Sequence, residues 1–450
     1  MSNIDKNTRR SNWRVSLAIG LTGVVIGAVI GAGTGMWWMM GVLGGVFGGL
    51  GPAVAAARRA RAMTSRLHIT PGDNSKLPVG SGPVTNTERI TSLDMIRGLA
   101  VLGILPMNAL VFGLDRAAYF NVSADGIGQP FDWVLGVLTM IFIDQKMMAL
   151  FSLLFGVGVV IFADRAEAKQ RRVVWLSLWR FTLLFGVGMV HAALWFGDVL
   201  ALYAMCAPIV LLIRRVPVRF LLVIGVIFSL LGTALAPFIQ STVEVNLDEL
   251  GYFWFAGEEE LGPTVEAWFV VNAAGRALGL MLIGVALYQL GIVQGERDDS
   301  YYRRLLRWGF GVGVPITMVG SVVHAITDWS AENAITGTIP TGLGTIPMAV
   351  GYMAIIILWN RSGSRHLERI RNTGRMALTN YLAQTVLGLV TLGWLLGDVS
   401  LTRTMIAAWI LVVWAVQILW STWWLARFQY GPFEWIWRCG TYRSWRPIRK

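Results

Sequence analysis

The sequence predicts an all-α, polytopic integral membrane protein of about twelve transmembrane helices with both termini in the cytoplasm. Three observations predict it. Hydrophobic residues make up 55% of the 450 and charged residues 14%, against roughly 25% charged in an average soluble domain. The apolar residues fall in runs on the scale of the roughly 20 residues that a bilayer-crossing helix requires. With the N-terminus inside, 33 of the 38 Lys and Arg residues lie in segments that face the cytoplasm and two, Arg116 and Arg403, lie outside. That split is the bias expected of inner loops. The formal charge of +12 is dispersed between apolar runs and forms no single patch, which argues against a nucleic-acid partner.

The predicted spans are 15–31, 36–57, 98–114, 133–162, 173–193, 199–213, 220–240, 267–294, 308–327, 341–359, 376–396 and 404–425. The first two form a glycine-rich hairpin, 1–57, with Gly20, Gly23, Gly27 and Gly31 on one helical face. Such a face lets two helices approach closely. It reads as an anchor, or as a surface for a second copy of the chain and hence a homo-oligomer. Residues 58–88 read as a cytoplasmic linker, basic and then rich in Pro, Gly, Ser and Asn. Residues 89–450 hold the ten-helix core. The loop 241–266 carries seven acidic residues and no basic one, so it is expected outside. Cys206 and Cys439 are read as unpaired, because two cysteines make no disulfide framework.

Four charged residues remain inside spans: Asp144, Lys146, Arg180 and Arg276. An ionisable group at membrane depth is costly and marks a functional candidate, the bland alternative being a structural ion pair or a snorkelling side chain. Asp144 and Lys146 lie in a 30-residue apolar segment, too long for one straight span. A break is expected there, with 131–143 interfacial or re-entrant and the true span starting near Lys146, close to the outer surface. Arg180 sits about 10 Å in from the cytoplasmic end of its helix, at about 1.5 Å per residue. It either snorkels or meets a phosphate group in a cavity open to the cytoplasm. Arg276 lies near mid-membrane and needs a partner or a polar cavity.

His191 and His324 each lie near the outer end of a span. Asp198 follows His191 across a short turn, Asp328 follows His324 by four residues, and Asn108 shares the same level. A histidine oriented by a carboxylate is a recurring general-base arrangement. No local spacing supplies the three or four ligands of a zinc site, so no metal is expected.

Several blocks resemble the YeiB-like family of bacterial multi-pass membrane proteins: Arg89 to Asn108 (RITSLDMIRGLAVLGILPMN), Lys146 to Gly158, Gly188 to Ala204, Gly374 to Tyr381 and Phe428 to Arg438. That family is similar, more distantly, to transmembrane acyltransferases such as heparan-alpha-glucosaminide N-acetyltransferase. The resemblance implies transfer of an acyl group from cytoplasmic acyl-CoA to a hydroxyl or amine acceptor beyond the bacterial plasma membrane, on an envelope glycan or lipid. The heparan relatives share Ser-Leu-Asp, Arg-Gly and an Asn matching Asn108, followed by a catalytic histidine in the next outer loop. Here the loop 115–132 contains no histidine. That departure either moves the base to His191 or His324 or means that acyl transfer is lost in this branch; with transfer kept, His191, oriented by Asp198, is the base, Asn108 donates to the oxyanion, and Arg97 and Arg180 hold the phosphates of CoA. Asp144, Lys146, Arg276 and His324 complete the candidate substrate-binding set. The alternative function is a transporter for a small solute, with Arg276 and the Asp144/Lys146 pair lining its pathway.

Overall fold

The computed structural model describes residues 90–450, so the glycine hairpin and the linker to residue 88 lie outside the described residues. Helices follow one another in chain order as α1 (Thr91–Gly113), α2 (Pro130–Phe142), α3 (Lys146–Ala168), α4 (Val173–Leu194), α5 (Leu200–Ile213), α6 (Val218–Thr242), α7 (Pro263–Gln289), α8 (Asp299–Ile326), α9 (Ile339–Arg361), α10 (Arg365–Arg375), α11 (Ala377–Gly388), α12 (Arg403–Arg427) and α13 (Pro432–Tyr442). Among the described residues there is no β-strand, only an isolated bridge between Phe428 and Arg449. The chain is an all-α, multi-pass membrane protein.

All ten spans predicted within the described residues correspond to helical segments. Eight are long and apolar enough to cross a bilayer, α2 and α3 being counted there as one 39-residue span. The segment 199–213 is the shorter apolar α5, of 14 residues. The 376–396 segment is α11 continued by a π-helical stretch, Leu389–Leu395, and meets α10 at a bend of 82°.

The overlong fourth segment breaks where its length requires. α2 ends at Phe142, Gln145 takes a left-handed φ of 62°, and α3 starts at Lys146. Pro130 opens α2 at a position whose missing N–H costs nothing. Asp132 caps it by accepting from the Gly128 and Gln129 backbone amides at 3.0 and 2.9 Å. The same buried carboxylate accepts from the Thr404 amide and hydroxyl, so one side chain starts two helices.

The helices fall into a buried set and a peripheral set. The most apolar stretches of α1, α7 and α9 are 72–78% buried, whereas those of α4, α6 and α12 are 22–28% buried and present Val, Leu, Ile and Trp side chains outward. A lipid-facing helix is as apolar outside as inside, because hydrocarbon offers no driving force for burial. Close crossings are made by glycine. A Cβ on Gly279 of α7 would overlap the Gly225 carbonyl of α6, and one on Gly374 would overlap the Asp94 carbonyl of α1.

Loops gather at two ends of unlike charge. At the acidic end, Asn121 donates to the Trp254 carbonyl, the Trp254 indole to the Trp329 carbonyl, and Arg403 to the Ala118 carbonyl. At the basic end, Ser92 donates to the Val293 carbonyl and Trp179 to the Gly440 carbonyl. These are the ends that the charge pattern assigns to the outside and the cytoplasm.

Candidate functional site

Between the buried helices, toward the acidic end, lies a cavity of about 250 Å³. Its floor reaches Gly103 and Met148, and Arg116, Phe196, Trp254 and Thr338 line it among the loops. Along α1, Gly103 to Gly113 is about 15 Å at 1.5 Å per residue, so the cavity penetrates roughly halfway through the span. The walls are largely aromatic, from Tyr119, Phe120, Trp195, Phe253, Trp254 and Trp268.

Of the residues singled out in the sequence, Asn108, Asp144, Asp198, Arg276 and His324 line this cavity, and Arg97, Lys146, Arg180 and His191 do not. Asn108 makes no side-chain hydrogen bond within the described residues. Arg276 is 5% exposed, and its Nη2 donates to the Asn272 Oδ1 at 3.1 Å. Its other N–H groups have no acceptor among the described residues, and the residue lines the cavity. Asn272 was not singled out in the sequence, although its place one helical turn before Arg276 is a signal that could have found it.

Asp144 and Lys146 do not form the structural ion pair that was the bland alternative for them. The Asp144 Oδ1 accepts from the Gln145 side chain at 2.9 Å, while the Lys146 Nζ donates to the Met140 carbonyl at 2.9 Å. The break at Gln145 turns the two side chains to different partners. Lys146 is also fully buried within the protein. Beside Asp144, burial and then the carboxylate itself push the Tyr119 hydroxyl well above its ordinary range, so it stays protonated.

The two histidines differ sharply. His191 and Asp198 are 4% and 2% exposed and joined by a 2.8 Å contact from Nδ1 to Oδ1. The other ring nitrogen, Nε2, lies 2.8 Å from the Thr385 hydroxyl of α11. The second Asp198 oxygen accepts from the Ala201 amide at 2.8 Å, capping α5. Both His191 nitrogens are thus engaged inside the protein, and Thr385, a partner 194 residues away, carried no local signal. His324 lines the cavity, stacked on Trp329 with ring centroids 5.1 Å apart and planes 7° apart. Its Nδ1 is buried without a hydrogen-bond partner. Gly337 lies against the ring, where a Cβ would overlap it. The Trp195 Nε1 is a second buried nitrogen without a partner on a residue lining the cavity.

Arg180 lies under the rings of Phe162 and Trp437, 4.6 and 3.6 Å from their centroids. Arg180 does not line the acidic-end cavity; aromatic faces pack against it. Arg97 pairs with Asp94 at 3.3 Å. Both cysteines are buried and free. Among the described residues no three His, Cys, Asp or Glu side chains group as a metal centre requires.

Residues 287–444 match the family model described as a protein of unknown function, DUF418. The chain is 33% identical over 388 residues to the "Uncharacterized protein YeiB" of Escherichia coli (strain K12), covering 80% of this chain and 98% of that protein. It is 29% identical over 406 residues to the "Uncharacterized protein YxaH" of Bacillus subtilis (strain 168), covering 82% and 98%. To the "Uncharacterized 39.9 kDa protein in amylase 3'region" of Bacillus acidopullulyticus it is 26% identical over 372 residues, covering 81% and 97%. No solved structure matches the chain. By these matches the chain belongs to the YeiB-like family.

Proposed function

We propose that this protein is an acyltransferase of the bacterial plasma membrane that acylates a hydroxyl or amine acceptor held in the acidic-end cavity, on an envelope glycan or lipid, using acyl-CoA as donor. The observation that carries the reading is that Asn108, Asp198 and His324 line one cavity. Acyl transfer needs a base for the acceptor proton and donors for the developing oxyanion. His324 is the histidine at the cavity wall, so it takes the base role here, and His191 becomes a positioning residue that fixes Asp198. The acceptor O–H loses its proton to His324 as its oxygen attacks the thioester carbonyl. The carbonyl oxygen gathers negative charge against the Asn108 amide, the C–S bond breaks, and the leaving thiolate takes the proton that His324 accepted. Arg97 lies six residues beyond the cavity floor at Gly103, about 9 Å along α1, on the side from which a cytoplasmic donor enters.

A second reading, a transporter for a small solute, is favoured by one observation: Asp144 and Arg276, of opposite charge, line the same cavity. The discriminating experiment uses purified protein in nanodiscs with acetyl-CoA and an extract of bacterial envelope glycans and lipids as acceptor. Acyl transfer predicts CoA release that needs the extract and disappears in His324→Gln. No CoA release from folded wild-type protein, with extract components accumulating in proteoliposomes, rejects the enzyme in favour of the transporter.

A further inference from the structure

We infer that the basic end carries a phosphate-binding site, built from Arg171, Arg180, Arg438, Arg443 and Arg446 around the rings of Trp179, Trp437 and Tyr442. The inference stands whether or not the cavity performs acyl transfer. Arginine at this end is what topology alone requires, and such residues ordinarily face water one by one. Here they converge. The guanidinium carbons of Arg171, Arg438 and Arg446 all lie over the Tyr442 ring, 5.1, 5.7 and 5.0 Å from its centroid. Arg180 lies 3.6 Å from the Trp437 centroid and Arg443 4.7 Å from that of Trp179. Three groups sharing one ring are no more than about 11 Å apart, close to one Debye length at moderate salt, so they repel one another.

Among the described residues no carboxylate lies within ion-pair distance of these guanidinium groups. From Arg427 to the end the chain has six basic residues and one acid, Glu434. Glu434 faces inward, accepting from the Leu378 and Thr379 amides at 2.7 and 3.1 Å at the start of α11. The Arg438 Nε is buried without a partner.

The cluster is also held in place. Three indole N–H groups pin the backbone around it: Trp179 on the Gly440 carbonyl at 2.9 Å, Trp437 on Arg180 at 3.2 Å and Trp435 on Arg446 at 2.8 Å. A guanidinium lying on a ring keeps its in-plane N–H groups free for oxyanions, which it grips as a two-pronged fork. A pre-set group of such forks with no internal anion fits a phosphate monoester or diphosphate. Exposed Phe433, Ile436 and Trp445 on and beside α13 set the cluster where an aqueous phosphate and a lipid headgroup could both reach it.

The test uses the full chain in nanodiscs. One arm titrates coenzyme A into phosphatidylcholine discs. The other measures retention of phosphatidylglycerol against phosphatidylcholine by native mass spectrometry. In Arg438→Ala/Arg446→Ala, and in Tyr442→Leu, binding in at least one arm is expected to fall about tenfold or more, as loss of charge-assisted pairs implies. The arm that responds identifies the source of the phosphate. Arg446→Lys keeps the charge and loses the fork, so it reads the same site if the double variant misfolds; a fall of threefold or more is expected. Arg307→Ala, a basic-end change outside the cluster, should leave both arms unchanged. Wild-type binding in both arms by folded Arg446→Lys and Tyr442→Leu, or an equal loss in Arg307→Ala, overturns the site.

Discussion

His191 and His324 occupy similar places in the sequence and opposite places in the chemistry. Each ends a long apolar run, and each is followed within seven residues by an aspartate. For His191 the aspartate arrives, because a short turn folds α5 back beside α4 and brings Asp198 to 2.8 Å. For His324 it does not. α8 ends at Ile326, and Asp328 and Trp329 both take a left-handed φ, 49° and 55°. That turn folds the Trp329 ring onto the imidazole where a continued helix would have carried Asp328. One histidine becomes a fully paired strut, and the other keeps an unpaired nitrogen on a residue lining the cavity. Pairing makes a buried polar group structural; an orphan at a cavity wall is what a ligand can use.

The largest effect that would sharpen this contrast is on turnover. His324→Gln is expected to lower acyl transfer by about 10² to 10⁴-fold, the usual contribution of a general base, with little change in melting temperature. Full turnover by the folded variant would break the proposed assignment. Next is stability. His191→Ala leaves the buried Asp198 without its partner, and breaking a buried pair costs about 3–5 kcal/mol. Chemical denaturation in nanodiscs should show that loss, while turnover per folded molecule changes far less than in His324→Gln. If His191→Ala abolishes turnover at unchanged stability, His191 is the base and the roles exchange.

Thr385→Val removes one hydrogen bond from the His191 strut and should destabilise by about 1 kcal/mol. It should add little to His191→Ala, since the two residues share one contact, and full additivity in a double-mutant cycle would separate them. The smallest expected effect is one of pH at the cavity wall. Burial and Asp144 hold the Tyr119 hydroxyl protonated above its ordinary value of about 10. The unfolded chain therefore loses that proton first as pH rises, and this contribution to stability is present below about pH 10 and declines above it. Melting curves from pH 8 to 11 should fall less steeply for Tyr119→Phe than for wild type; parallel curves would show that Tyr119 does not hold its proton.

The sequence by itself determined the helical class, the ten apolar segments of the core and their alternation of charge. Each rests on solvent preference read over about 20 residues, a signal local in the chain. It also located the break before Lys146, because 30 apolar residues exceed one span, and the His191–Asp198 pair, because a six-residue turn leaves little freedom. Only the tertiary structure decided which charged residues share a space. Arg276, Asp144 and Asn108 meet in the cavity although they come from α7, the break before α3 and α1, whereas Asp144 and Lys146, two residues apart, turn to different partners. The Thr385 hydroxyl on His191, and the rings of Tyr442 and Trp437 under the arginines, are likewise contacts between distant segments. Hydropathy says how deep a residue lies, but the direction a side chain faces at that depth is fixed by helix rotation and packing, which the close glycine crossings set and composition does not record.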